Sequence, residues 1–403
     1  MTHPEARRLS QGEFIALMGV MFATIAFSID SMLPALPEIA AELSPDAPNN
    51  AALILTSFVL GMGAGTLVAG PLSDAFGRRA VIFLGAALYI LGALLAYVAP
   101  TLELVLAARV LQGLGAAGPR IVSMAMVRDL YSGRQMARIV SIAMLVFMAF
   151  PAVAPLIGAG IIALAGWRAI FLAFVLFSIL SIGWLALRQP ETLPVSERRS
   201  LKPATLWTAA KEVLSHRQVL MSTVIQILIF GMLFGTLSSI QQIFEQTYGR
   251  GESFPLWFAG IALTSAGPPI INAALVVRLG MRPLIRAALG VQLILSALAL
   301  VLYLTGLLSV NAGFFLYLTW TASMFAATSF TLGNLNALAL EPMGHISGMA
   351  ASVMGAVSTL FGAILGALVG LVFDGTPVPL VGAVTVFCLL GYAIARKLPR
   401  EGR

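Results

Sequence analysis

The sequence predicts an all-α membrane protein whose twelve transmembrane helices form two six-helix bundles. Three observations carry that prediction. Of 403 residues, 59% are hydrophobic and only 10% charged, with a mean hydropathy of +0.95; a soluble domain carries about a quarter charged residues. The apolar residues gather into runs of the roughly 20 residues that cross a hydrocarbon core of about 30 Å. A single long polar stretch, Arg188 to Gln218, falls midway along the chain.

The runs lie near 14–36, 51–72, 80–99, 102–126, 138–163 and 168–187, and again near 219–243, 254–277, 284–306, 312–340, 347–373 and 379–396. Each is expected to be helical, because a spanning backbone finds no water for its amides and carbonyls. Runs such as Ala80 to Tyr97 lack the strict alternation of a membrane barrel strand. The first run is long enough to span and ends in Leu33–Pro37 rather than a small-residue cleavage site, so it reads as a span and not as a cleavable signal.

Basic residues set the orientation. With the N-terminus inside, the inner segments hold Arg7, Arg8, Arg78, Arg79, Arg128, Arg134, Arg138, Arg188, Arg198, Arg199, Lys202, Lys211, Arg217, Arg278, Arg282, Arg286, Arg396, Lys397, Arg400 and Arg403. The outer loops hold only Arg168 and Arg250. This asymmetry places both termini in the cytoplasm, and it explains the net charge of +7 without nucleic-acid binding. The organisation expected is an N-terminal bundle over 1–187, a cytoplasmic linker over 188–218 that carries Pro190, Pro194 and Pro203, and a C-terminal bundle over 219–403. Asp74-Ala-Phe-Gly-Arg-Arg79 after the second run has a faint echo in Arg278-Leu-Gly-Met-Arg-Pro283 after the eighth.

Several chemistries are excluded. Cys388 is the only cysteine, so there is no internal disulfide or thiolate cluster, and His3, His216 and His345 are too scattered for a histidine metal site. Neither a G-x-x-x-x-G-K-[ST] loop nor H-E-x-x-H occurs, so no ATP drive, zinc hydrolysis, metal or cofactor is expected, and the chain is not an enzyme. Energy must come from an ion gradient or from the substrate's own gradient.

The loop after the second span reads Gly70-Pro-Leu-Ser-Asp74-Ala-Phe-Gly77-Arg78-Arg79. It matches the G-x-x-x-D-x-x-G-R-R signature of the major facilitator superfamily, which the chain resembles along its whole length. Gly77 permits a sharp turn, and Asp74 can accept hydrogen bonds from nearby arginines or a helix N-terminus. In the fourth span, Arg109-Val-Leu-Gln112-Gly113-Leu-Gly-Ala-Ala117 resembles the motif of proton-coupled branches. In the fifth, Ala154-Pro155-Leu-Ile-Gly158-Ala-Gly160 is similar to the antiporter motif G-P-x-x-G-G, with alanine for its leading glycine and Ala159 splitting its final pair. Asp30-Ser-Met-Leu-Pro-Ala-Leu-Pro37 and Val127-Arg-Asp-Leu-Tyr131 resemble the bicyclomycin/chloramphenicol-resistance (Bcr/CflA) branch of drug:proton antiporters. Trp167-Arg-Ala-Ile-Phe171 and Pro190-Glu-Thr-Leu193 are in the superfamily's style.

Of the seventeen acids, Asp30 alone lies well inside a span. Burying an ionised group in a membrane costs several kcal/mol, which makes Asp30 a functional residue by default. At 1.5 Å per residue it lies about 24 Å along its helix, while Arg109 lies about 10 Å below the outer end of a helix running the other way. The two should meet near one depth, as a static pair or as a proton-exchange pair that responds to hydration. Arg120 is either a second cavity cation or a snorkelling side chain. Gln241, Gln242, Asn334 and Asn336 either bind substrate or bond neighbouring helices. Tyr89, Phe147, Phe150 and Trp320 either wall a cavity or face lipid. Gly362, Gly366 and Gly370, at four-residue spacing, should let helices approach closely.

The resemblance implies a monomeric multi-pass protein of a bacterial inner membrane that exports small amphipathic compounds in exchange for protons by alternating access. Two other readings stay open on the residues: an exporter or proton-coupled importer of an endogenous metabolite, and a non-transporting membrane receptor.

Overall fold

A computed structural model describes residues 9–198 and 203–399. His3, Arg7, Arg8, Arg199, Lys202, Arg400 and Arg403 lie outside the described residues. Within them the regular structure is helical and contains no strand. The α-helices in order are α1 (Gln11–Asp30), α2 (Leu36–Leu43), α3 (Leu53–Phe76), α4 (Arg78–Val98), α5 (Leu102–Leu130), α6 (Gly133–Ala165), α7 (Ala169–Arg188), α8 (Pro203–Ser215), α9 (Arg217–Gln242), α10 (Phe254–Thr264), α11 (Gly267–Leu279), α12 (Met281–Leu304), α13 (Val310–Leu340), α14 (Ser347–Leu371) and α15 (Val378–Ala395).

Among the described residues, eleven helical stretches are long and apolar enough to cross a membrane. The twelfth segment expected from sequence is α13, 31 residues long, whose serines, threonines and asparagines hold it below the apolarity of the others. Several of those polar groups are satisfied within the helix: the hydroxyls of Thr328 and Thr331 donate to Met324 O and Ala327 O at 3.0 and 2.7 Å. Two spans are interrupted rather than continuous. The first stops at Asp30 and passes through a 3₁₀ turn, Leu33–Ala35, before α2; Pro34 and Pro37 lack the N–H groups that would carry the ladder onward. The eighth divides into α10 and α11 just ahead of Pro268 and Pro269, for the same reason.

The chain forms two compact units, residues 1–39 with 57–202 and residues 40–56 with 203–403. Residues 40–56 therefore group with the second unit, unlike the division read from sequence. Asn49 Nδ2 donates there to Leu371 O and Phe373 O, at 3.1 and 2.9 Å, closing the C-terminal end of α14. The stretch read as a linker is partly ordered into α8, whose Val213 is buried in an apolar core with Val219, Met343, Val353 and Met354.

In the first unit, missing side chains set the helix spacing. A Cβ on Gly113 would collide with the carbonyl of Phe58 in α3, and one on Gly61 would collide with that of Val110 in α5. On the opposite side of α5, a Cβ on Gly115 would overlap the backbone of Gly85 and Tyr89 in α4. Residues two apart on a helix point about 200° apart, so Gly113 and Gly115 let α3 and α4 close on α5 from opposite faces. Beneath this sandwich, Phe14, Leu17, Met18, Ile82, Val122 and Met126 form an apolar core. In the second unit the Gly362, Gly366 and Gly370 ridge of α14 lies on α9 at Phe230, Phe234 and Ser238, where an added Cβ would meet side-chain or backbone atoms.

Gly113→Ala should lower the melting temperature of the purified protein, since overpacking of this kind typically costs about 1–3 kcal/mol. Gly160→Ala, where nothing lies within 4 Å of the added carbon, should leave it unchanged or slightly raised, because alanine is the better helix former. Scanning calorimetry or intrinsic-fluorescence melting of the two variants makes the comparison.

Candidate functional site

Asp30 is the last residue of α1 and is only 6% exposed. No hydrogen bond or ion pair joins its carboxyl to another described residue. A negative charge at this position lies both in an apolar interior and at the carbonyl end of a helix, two unfavourable settings. Arg109 in α5 is fully buried. Its Nη1 donates to Gln112 Oε1 at 2.7 Å and its Nη2 to the Ser28 carbonyl at 3.0 Å. Its guanidinium lies over the Phe58 ring, 4.4 Å from the centroid, with Phe174 at 5.8 Å, a cation–π arrangement that holds a cation in a desolvated place.

The direct Asp30–Arg109 ion pair expected from matched depth is not formed. Arg109 does reach α1 two residues from Asp30, about 3 Å along the axis, but it engages the Ser28 backbone. Residues 28 and 30 face roughly opposite directions on that helix. The Ser28 side is taken by Tyr89, whose hydroxyl lies 2.6 Å from Ser28 Oγ. Tyr89 is thus a buried polar partner of α1, neither a cavity wall nor a lipid contact.

The fifth-span motif meets the same place from the other side. A Cβ on Gly158 would collide with the backbone of Ser31, the residue after Asp30. Pro155, one turn earlier, lies inside α6 and removes one amide from its ladder. Asp30, Arg109, Gln112, Gly113 and Gly158 are therefore gathered around the break at the end of α1, although their motifs lie in three separate spans.

At the far end of α5 and α3 a second constellation forms. Gly77, at φ +100°, turns the chain between α3 and α4. Arg78, 6% exposed, donates Nη1 to Asp74 Oδ1 at 2.5 Å and to Ser73 Oγ at 2.8 Å. Its Nε and Nη2 reach the two carboxylate oxygens of Asp129 at 2.9 and 3.2 Å. Ser73 Oγ in turn donates to the Gly70 carbonyl at 2.8 Å, and Arg79 Nη2 donates to Ala186 O at 2.9 Å. Asp74 accepts from an arginine, as expected, but the free amides at the start of α4 go elsewhere. Glu191 receives them: Arg78 N donates to its Oε1 at 2.9 Å and Arg79 N to its Oε2 at 3.0 Å. Thr192 Oγ1 adds a bond to Asp129 at 2.7 Å. The sequence puts Glu191 within the linker over 188–218 without giving it a role; the Pro-Glu-Thr-Leu pattern directly after the sixth span is the signal that points to it.

The second unit repeats the plan in reduced form. Gly280, at φ +79°, starts α12 as Gly77 starts α4. Arg282, 7% exposed, lies 3.6 Å from Glu341 at the end of α13, much as Arg78 pairs with Asp129 at the end of α5. Asn334 and Asn336 bond neighbouring helices: Asn334 Nδ2 donates to Asn272 Oδ1 at 2.9 Å, and Asn336 Oδ1 accepts from Gln226 Nε2 at 2.9 Å. Gln241 and Gln242 are buried at the end of α9, each with a side-chain carbonyl that has no partner, directly before a π-helical turn over Ile243–Thr247. Trp320 donates to Ser296 Oγ at 3.0 Å and packs inside its own unit.

With this geometry in place, comparison with known proteins is direct. The family model described as Major Facilitator Superfamily matches residues 16–371. The chain is 32% identical over 293 residues to a bicyclomycin resistance protein homolog of Haemophilus influenzae, covering 72% of each chain. It is 32% identical to an uncharacterized MFS-type transporter of Bacillus subtilis, covering 62% of this chain and 63% of that one. It is 34% identical to a chloramphenicol resistance protein of Pseudomonas aeruginosa over 46% of this chain and 44% of that one. The match thus spans under two thirds of the second of these relatives and under half of the third. In fold, it superposes on the xylose transporter XylE from E. coli, in a partially occluded inward-open conformation, with a TM-score of 0.75, 13% identity and coverage of 97% and 98%. The matched family and the structural neighbour are transporters, not enzymes.

Removing the Glu191 carboxylate strips an N-terminal cap, which ordinarily costs about 0.5–2 kcal/mol. Glu191→Ala should therefore melt measurably below the parent protein, while Glu197→Ala, at an exposed position of the same segment, should not. Equal melting of the two variants would contradict the capping role.

Proposed function

Because the chain belongs to the Major Facilitator Superfamily, we propose that this multi-pass membrane protein is a proton-coupled secondary transporter that exports small amphipathic compounds by alternating access. The observation that carries the reading is Asp30: a carboxyl buried inside a span, at a helix end, without a hydrogen-bonding or ionic partner. Charge there is costly, and a proton removes the cost. The resistance relatives support the drug-export direction, and the arginine asymmetry supports cytoplasmic termini in a bacterial inner membrane.

In this mechanism Asp30 is the proton carrier. Arg109 is not its ion-pair partner but a fixed positive charge, secured by neutral acceptors and aromatic faces, that favours the deprotonated acid whenever the end of α1 is hydrated. Protonation from outside neutralises Asp30 and releases the exported compound; deprotonation inside resets the site. Arg78 with Asp74, Asp129 and Glu191 forms a separate latch whose breaking and closing biases one conformation. The first bundle, the linker with α8, and the second bundle act as a single monomeric transporter.

The test is substrate-driven proton movement in proteoliposomes with a pH-sensitive dye inside. Asp30→Asn should abolish coupled proton flux while leaving substrate binding and downhill exchange measurable. Full coupled transport by that variant would remove Asp30 from the mechanism.

A further inference from the structure

A second arginine in α5 is set in surroundings opposite to those of Arg109. Residues 109, 113, 116 and 120 form one stripe, at i, i+4, i+7 and i+11, and the stripe runs along α3. Arg109 lies over Phe58, Gly113 touches the Phe58 carbonyl, and Arg120 Nη1 lies 3.8 Å from Met62 Sδ. By helical rise the two arginines are about 16 Å apart. Whereas Arg109 is sealed, Arg120 is exposed.

That thioether is the only polar contact Arg120 makes among the described residues, and a thioether is a weak acceptor. Among the described residues no carboxylate is paired with it. Arg120 is also nine residues along α5 from Asp129, about 14 Å deeper than the Arg78–Asp129 latch, which places it well within the span. An exposed guanidinium at that depth is too costly to face hydrocarbon, and its stripe faces α3, so it fronts hydrated space. A guanidinium offers a fork of donors that fits a carboxylate or sulfonate bidentately. One turn further, the Ser123 hydroxyl is fully buried without a partner and supplies another donor on the same side of the helix.

We infer that Arg120 is an anion-recognition residue, and that the compounds this transporter carries are amphipathic organic anions whose carboxylate or sulfonate pairs with it. The inference rests on the transport reading above and narrows it to a substrate class. Proton and anion then occupy separate positions, since Asp30 lies near the level of Arg109 and not of Arg120.

The test uses the full-length purified protein and a matched pair of probes, 1-naphthaleneacetate and 1-naphthylmethylammonium, with affinity measured by thermophoresis. The anion should bind the parent protein at least about tenfold more tightly than the cation, the scale of one charge-assisted contact. Arg120→Gln should lose that preference, and Arg120→Lys should retain most of it. Size-exclusion profile and melting temperature show that both variants are folded; should Arg120→Gln not fold, Arg120→Met and the lysine variant give the same comparison. No anion binding to the parent protein, equal binding of the two probes, or an unchanged preference in the glutamine variant would each overturn the inference. Cation binding with Asp30-dependent proton flux would overturn it while leaving the transport reading intact. Arg120-dependent anion binding without Asp30-dependent flux would do the reverse.

Discussion

The first unit depends on backbone-to-backbone contact along α5. Gly113 and Gly115 leave no carbon between α5 and its neighbours, and Gly61, Gly85 and Gly92 return the same clearance from α3 and α4. Lipid tails are as apolar as leucine, so helices in a bilayer gain little from hiding greasy side chains and must gain from close packing instead. This tightness lets Arg109 be enclosed by Phe58, Phe174, Gln112 and the Ser28 carbonyl. With one methyl group more at Gly113 the wall holding Phe58 would move, and the arginine's cage with it.

Packing and electrostatics are therefore the same design at two ends of one helix. At one end α5 holds a cation by neutral acceptors. At the other it presents Asp129 to Arg78, beside Asp74 and Thr192. The second unit keeps the glycine turn and the arginine–acid pair at Gly280, Arg282 and Glu341 but has Val277 where Asp74 would fall. Duplication is visible here more in geometry than in residue identity.

Much of this could be read from the residues alone. Long apolar runs identify twelve segments because the bilayer imposes length and helicity. The Gly77 turn and the Asp74–Arg78 bond were legible because local spacing determines them. The breaks after Asp30 and at Ser265 needed tertiary context: prolines mark where a ladder is weakened, not which way the chain continues. The Asp30–Arg109 pairing failed because depth along a helix says nothing about azimuth, and Ser28 and Asp30 differ by more than half a turn. Asn334 and Asn336 were ambiguous because their partners, Asn272 and Gln226, lie about 62 and 110 residues away, beyond any periodicity. Glu191 was lost because a carboxylate in a polar stretch looks solvated until its helix terminus is seen.

The position of Glu191 bears on how the protein is made. The first amides of α4 receive their acceptor from a residue 113 positions later, after three more spans have left the ribosome. Until then the turn at Gly77 is held by contacts from Ser73 and Asp74 and, once α5 is complete, from Asp129. The cap on α4 is therefore completed only after the segment that leaves α7 has been made and has folded back onto the turn between α3 and α4.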